Sequence, residues 1–85
     1  MERYKVTIKP TAVKELDRIP KKTLQQVVNR IYSLADNPRP HGVEKLSGQE
    51  HYRIRQGNFR VVYSIDDKRA TIDVIKVGHR REVYR

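Results

Sequence analysis

Residues 52–65 constrain the fold of this chain more than any other segment, because they read as two strands joined by a tight turn. Gly57 and Asn58 lie between two runs of alternating side chains, and Gly followed by Asn suits a two-residue hairpin turn that needs a positive φ. With these two residues as the turn, the register of the two strands is fixed. Arg55 is then predicted to lie directly opposite Arg60.

Alternation divides the side chains of this hairpin between the two faces of a sheet. Three arginines, which we call the arginine face, share one side: Arg53, Arg55 and Arg60. Like charges paired across strands destabilise a sheet, so a bound polyanion is the simplest way to relieve this cluster. The other side is apolar and is predicted to face the core, with Tyr52, Ile54, Phe59, Val61, Tyr63 and Ile65.

The first half of the chain predicts one strand and two helices. Strict alternation of apolar and polar residues over positions 3–9 predicts a half-buried strand that Pro10 ends. Thr11 is the expected N-cap of a helix over residues 12–19. A second helix over residues 21–36 is predicted from an apolar stripe at three- and four-residue spacing. The two helices would form a hairpin that covers one face of the sheet.

The second half predicts strands on both sides of the hairpin. Residues 37–42 are a loop by their Pro, Asn and Gly content, and a short strand is expected within residues 43–46. The last strand is predicted over residues 70–77, where Gly78 breaks it, and residues 79–85 form a basic tail.

Length and element order define the fold class. At 85 residues the chain makes a single domain, residues 1–85, with one small core. The predicted fold is α+β with two layers, in which the N-terminal strand and the helical hairpin pack on a four-stranded, largely antiparallel twisted sheet. Because the helices cover only one face of this sheet, the arginine face is expected to be open.

Composition narrows the class of partner. The net charge of +9, from 19 basic and 10 acidic residues, points to an anionic partner: nucleic acid, an acidic protein segment or anionic lipid. The chain has no cysteine, which fits a reducing cytoplasm. No apolar stretch approaches the ~20 residues of a membrane span, and the N-terminus does not read as a signal peptide. We therefore expect a cytoplasmic protein with no membrane partner.

Few groups are available for catalysis. The carboxylates are scattered, and His41, His51 and His79 match no zinc pattern, so neither a metal nor another cofactor is expected. Arginines beside an aromatic residue such as Tyr84 are typical of single-stranded RNA binding, whereas Tyr52 suits the core. RNA also supplies its own nucleophile, since its 2′-hydroxyl can attack the neighbouring phosphate. The protein then needs only to align the attack, stabilise charge and move protons.

Short motifs over nearly the whole chain resemble the RelE branch of the RelE/ParE toxin superfamily. The motifs are Tyr52-Arg53-Ile54-Arg55, Gly57, Phe59-Arg60-Val61-Val62-Tyr63, Val74-Ile75-Lys76-Val77-Gly78-His79-Arg80 and Val83-Tyr84. The resemblance implies the cytoplasmic toxin of a type II toxin–antitoxin system. Such a toxin is a metal-independent endoribonuclease, or mRNA interferase, that cuts mRNA in the ribosomal A site and inhibits translation. The implied partners are mRNA, the ribosome and a RelB-like antitoxin that folds on binding. One alternative is the ParE branch, whose members share the fold but inhibit DNA gyrase. Another is a degenerate toxin that only binds its antitoxin or ribosomes.

The resemblance also implies roles for individual residues. Arg53 and Arg55 match two basic residues of the first hairpin strand, and Arg60 matches the arginine that stabilises the transition state. Arg80 matches the proposed general acid, and Tyr84 matches the tyrosine that stacks on a base of the substrate.

The general base is the one role that the resemblance leaves open. The strand's basic positions are often lysines in the family, and one of them is the proposed base. Here both are arginines, and arginine is a poor base because its pKa exceeds ~12. His79 and His51 are the candidates to accept the proton, since an unperturbed histidine titrates near pH ~6.5. The third alternative is catalysis mainly by charge stabilisation and orientation.

Overall fold

The structure is a computed structural model that describes residues 3–46 and 50–79, so Arg80 and Tyr84 lie outside the described residues. Its elements are β1 (Lys5–Ile8), α1 (Pro10–Leu16), α2 (Lys21–Ser33), β2 (Glu44–Lys45), β3 (His51–Gln56), β4 (Phe59–Asp66) and β5 (Thr71–His79). The strands form one sheet in the order β1-β5-β4-β3-β2. No helix within these residues is both long and apolar enough to span a membrane.

The α+β class is confirmed, but the prediction of a four-stranded, largely antiparallel sheet with β1 outside it is wrong. β1 pairs in parallel with β5 and makes the sheet five-stranded and mixed. This pairing sets Val6 beside Ile72 and Ile8 beside Val74. The apolar side of β1 therefore extends the face that the helices cover, which explains its alternating sequence.

The core lies between the helices and one face of the sheet. Its side chains come from both layers: Ala12, Leu16, Ile19, Val27, Ile31 and Leu34 from the helical layer, and Tyr52, Ile54, Val61, Tyr63, Ile65, Ile72, Val74 and Val77 from the sheet. The predicted apolar side of the hairpin is thus confirmed as core, with Phe59 partly buried at its margin.

The hairpin of β3 and β4 has the predicted register. Arg55 pairs with Arg60 and Ile54 with Val61. Gly57 has φ of 60°, and Asn58 is not left-handed, which is the φ pattern of a type II′ turn with Gly at its first central position.

Both helices are shorter than predicted, and α1 begins earlier. Pro10 does not merely end the strand: it opens α1, where its missing N–H costs nothing, so Thr11 lies inside the helix rather than at its cap. The predicted ends at residues 19 and 36 are tighter turns, as shown by the hydrogen bond from the N–H of Ile19 to the carbonyl of Leu16. α2 correspondingly ends at Ser33.

The loop after α2 is fastened to the sheet by a group of contacts that we call the loop anchor. The hydroxyl of Tyr63 donates to the carbonyl of Pro38 at 2.7 Å, and Arg39 forms an ion pair with Asp67 at 2.9 Å. The Arg39 guanidinium also lies over the ring of Tyr52, 5.2 Å from its centroid. Tyr52 stacks in turn on Tyr63, with 6.0 Å between ring centroids.

Electrostatics at the loop anchor follow from these contacts. The Arg39 guanidinium, followed by the hydroxyl of Tyr4 at 2.6 Å, holds the pKa of Asp67 below its usual value. Burial raises the pKa of Tyr63 to about 12, against an opposing effect of the charges on Arg30 and Arg39. Both shifts favour the forms that make these hydrogen bonds, an ionised Asp67 and a neutral Tyr63.

Candidate functional site

The hairpin brings the three residues of the arginine face together, as predicted. Arg55 pairs with Arg60, and Arg53 pairs with Val62 on the same side of the sheet. Partners in register point to the same face of a sheet, and residues two apart on a strand do so as well. The three guanidinium groups therefore project from the face opposite the helices.

The arginine face is not uniformly open, and here the expectation is wrong. Arg55 is exposed, but only 11% of the Arg53 side chain is exposed, and it forms an ion pair with Glu44 at 3.1 Å. Arg60 is only 3% exposed. Charged side chains are rarely so buried unless they are paired.

Gly78 is the register partner of Arg60. It was predicted to end the last strand, but it lies within β5, directly opposite Arg60. A glycine inside a strand often marks a place where another group approaches the backbone closely. Arg60 therefore has no side chain opposite it on β5.

The two histidines that are candidates for the general base, His79 and His51, do not lie beside the Arg55–Arg60 pair. His79 pairs with Phe59, and their rings meet edge to face with 5.8 Å between centroids. It therefore lies on the helix side of β5, away from Arg60. His51 pairs with Ser64, four residues along β3 from Arg55, or about 13 Å at ~3.3 Å per residue. Neither ring lies beside the Arg55–Arg60 pair.

Glu44 is the site residue that sequence reasoning missed. It pairs in register with Arg53 from the two-residue strand β2 and also binds its guanidinium. The signal was present, because a short strand was predicted at this point of the chain, but its register was not. Within residues 3–46 and 50–79 no group of three or more His, Cys, Asp or Glu side chains is arranged to hold a metal ion.

Comparison with known proteins gives consistent likenesses in sequence and structure. Residues 6–84 match the family described as ParE toxin of type II toxin-antitoxin system, parDE. The chain is 33% identical over 84 residues to Toxin RelE of Mycobacterium tuberculosis, covering 96% of this chain and 87% of that protein.

Two solved complexes show the same likeness at the level of the fold. The structure is similar to the archaeal RelE–RelB complex from Pyrococcus horikoshii, with a TM-score of 0.83 at 32% identity over 92% of this chain and 96% of that one. It is also similar to the toxin–antitoxin complex RelBE2 from Mycobacterium tuberculosis, with a TM-score of 0.83 at 28% identity and 93% of each chain covered.

Proposed function

The chain belongs to the RelE/ParE superfamily of toxins from type II toxin–antitoxin systems, and on this premise we propose that it is a RelE-type mRNA interferase. It cleaves mRNA in the ribosomal A site without a metal ion and so inhibits translation in the cytoplasm. The observation that carries the proposal is the pairing of Arg55 with Arg60 on one face, beside Arg53. The names of its relatives, Toxin RelE and Toxin RelG, support the same branch of the superfamily.

In the proposed reaction the 2′-oxygen of the substrate attacks the neighbouring phosphorus. The bond from phosphorus to the 5′-oxygen breaks, which leaves a 2′,3′-cyclic phosphate and a 5′-hydroxyl. Arg55 and Arg60 stabilise the additional negative charge, for which bidentate guanidinium groups are well suited. Arg80 supplies the proton to the 5′-oxygen, and Tyr84 stacks on a base and orients it.

Removal of the 2′-proton is assigned to solvent, because neither His79 nor His51 lies beside the Arg55–Arg60 pair. The reaction then depends mainly on orientation and charge stabilisation. On this assignment, His79→Ala and His51→Ala retain cleavage to within about threefold, whereas loss of a general base typically costs 10²- to 10⁴-fold.

The proposed partner is a cognate antitoxin with an acidic or apolar segment that folds on binding. Similar proteins have been solved as RelE–RelB complexes, which supports a partner of this kind. The charge of +9 suits an acidic partner.

The experiment that tests the proposal is primer extension on translated messages shortly after the chain is induced in bacteria. The wild type is compared with Arg55→Ala, with an Arg60→Ala and Arg80→Ala double variant, and with Arg18→Ala as an exposed control outside the arginine face. Codon-phased cuts are expected in the wild type and the control, and not in the double variant. Because Arg60 is buried, each variant is also melted to establish that it folds.

Inhibition of DNA gyrase is the second candidate, because the matched family is described by its ParE member. It predicts growth arrest with intact message and gyrase-linked DNA damage. That result would overturn the nuclease proposal, and a folded double variant that still arrests growth would strengthen the gyrase reading.

A further inference from the structure

A cavity of about 330 Å³ lies at the β2 edge of the sheet, next to the arginine face. It is lined by Arg30, His41, Gly42, Glu44 and Arg55. These residues come from α2, the loop after it, β2 and β3, so four parts of the fold meet at this point. Arg55 belongs to both the cavity and the arginine face.

The charge of the cavity is unbalanced. Neither Arg30 nor Arg55 forms an ion pair with a carboxylate of residues 3–46 or 50–79. Glu44, the carboxylate on the rim, already binds Arg53 at 3.1 Å. Arg30 and Arg55 thus line one cavity without an ion pair of their own among these residues, and an anion between them would relieve their repulsion.

The edge of the sheet is open where the cavity lies. β2 pairs only with Tyr52 and Arg53, so within residues 3–46 and 50–79 Arg55 has a strand, β4, on one side only. A chain that crosses the arginine face can therefore pass around this edge to Arg30 on the helix side. Gly42, with φ of 89°, turns the loop at this point in a backbone conformation that favours glycine.

We propose that this cavity binds a phosphodiester group of single-stranded RNA adjacent to the cleaved one, with Arg30 and Arg55 as its ligands. The inference rests on the proposed function, and it adds the path that the substrate takes from the arginine face around the β2 edge. Guanidinium groups bind phosphate oxygens in a bidentate fashion, and His41 adds a ring N–H donor at the rim.

The test measures binding to an eight-nucleotide RNA with 2′-O-methyl groups, which the proposed reaction cannot cleave. Arg30→Gln is compared with Arg18→Gln, which removes the same charge from an exposed position away from the cavity. We expect Arg30→Gln to weaken binding about tenfold and to lower the slope of log affinity against log salt by ~0.7, the value for one phosphate on a single strand. Arg30→Lys restores part of the affinity, because it restores the charge without the bidentate geometry. Equal effects of Arg30→Gln and Arg18→Gln would overturn the inference, since net charge alone would then explain them.

Two further ligands identify the anion. Pyrophosphate tests for a small-anion site, and octaglutamate tests for a site that takes an acidic protein segment. The inference requires both to bind more weakly than the RNA and with less dependence on Arg30. If either ligand binds as tightly as the RNA with the same dependence on Arg30, the assignment to an RNA backbone is wrong.

Two controls separate this inference from folding and from the nuclease activity. The backbone amide of Gly42 in the wild-type protein should shift in NMR spectra on addition of the RNA, which needs no variant. Cleavage is assayed separately on unmodified RNA in programmed ribosomes. If binding depends on Arg30 but no cleavage is seen, the phosphate site in the cavity is supported and the nuclease proposal is wrong. If cleavage is seen but binding does not depend on Arg30, only the proposed phosphate site is wrong.

Discussion

Arg53 and Arg55 lie two residues apart on the same side of one strand, yet they differ in exposure and in ion pairing. Arg53 is tied to Glu44 and largely shielded, whereas Arg55 is exposed and unpaired with any carboxylate of the described residues. Arg53 is therefore less available to an anion than Arg55 is. Arg55 and Arg60 are the pair that meets the phosphate in the proposed reaction.

Glu44→Gln should tighten binding of the uncleavable RNA by about two- to fivefold, because it releases Arg53 from its ion pair. The free energy of unfolding should change by no more than about 1 kcal/mol, since most of the Glu44 side chain is in water. Fluorescence titration measures the first effect and thermal melting the second. Asp36→Asn, which breaks the exposed ion pair with Arg3, is the matched control for charge. If the two variants bind RNA equally well, Glu44 does not restrain Arg53.

Tyr63 should make the protein less stable at high pH. Its folded pKa of about 12 exceeds the ordinary value of 10.0 because the hydroxyl is buried. The unfolded chain therefore loses this proton first, and the stability is present in full below pH ~10 and is lost as the pH rises through about 12. The contribution is about 2–3 kcal/mol by the relation between pKa and free energy.

The measurement is urea denaturation of the wild type and of Tyr63→Phe at pH 8, 10 and 11.5. The difference between them isolates Tyr63 from every group that the two proteins share. Tyr63→Phe should already be about 1 kcal/mol less stable at pH 8, because the carbonyl of Pro38 loses its donor. That gap should shrink and then reverse as the pH rises; a gap that stays constant would contradict the assigned pKa.

At the scale of elements, prediction from sequence succeeded where the decisive interactions are local. Gly57, Asn58 and the alternation around them fix the hairpin and its register, since the turn and both strands are contiguous. β1 was recognised, but alternation reveals which side is buried and not which strand lies alongside, so its parallel pairing with β5 was missed. The predicted start of α1, with Thr11 as its N-cap, was wrong because Pro10 suits the first helical position as well as it suits the end of a strand.

The distinction between local and distant interactions also explains which features of the candidate site were predicted. Arg55 and Arg60 face each other for local reasons, and this was predicted. Arg60 lies opposite Gly78 of another strand, and the restraint on Arg53 comes from Glu44 in β2. Neither register can be read from the hairpin. The roles of Arg80 and Tyr84 stay predictions, because both lie outside the described residues.

Gly57→Ala tests the turn as the element that sets the register. Space is not limiting, because a Cβ at position 57 would meet nothing within 4 Å, so the cost is that of φ at 60° for a residue with a side chain. We expect a loss of about 1–2 kcal/mol in the free energy of unfolding, measured by denaturant titration. Asn58→Ala, at the other central position, is the control and should cost less. Equal losses at the two positions would show that the turn is not of the assigned type.

At the scale of the whole molecule the dominant property is a charge of +9 on 85 residues. This charge creates a positive electrostatic potential around the protein, which favours encounter with any polyanion or acidic chain. The loop, the sheet edge and the arginine face all lie within that potential. The net charge attracts every anionic partner, whereas the phosphate site proposed for the cavity at the β2 edge favours RNA.

Association with the cognate antitoxin should therefore slow as salt is added. Between 50 mM and 500 mM salt we expect the association rate constant to fall about tenfold or more, with a much smaller change in the dissociation rate constant. Stopped-flow mixing at several salt concentrations measures both. Lys22→Glu, on the exposed surface of α2, should lower the association rate in proportion to charge. An association rate that does not respond to salt would exclude electrostatic steering.

The parallel pairing of β1 with β5 also dictates when during its own synthesis this protein can fold. Thr7 bonds to Asp73, 66 residues further along the chain, so the first strand made must wait for the last. Contacts between such distant segments form late and make folding slow. A nascent chain that stops before residue 71 leaves β1 without a neighbour in the sheet and leaves β4 paired on one side only, with β3. Incomplete messages for this protein therefore yield fragments that cannot complete the sheet.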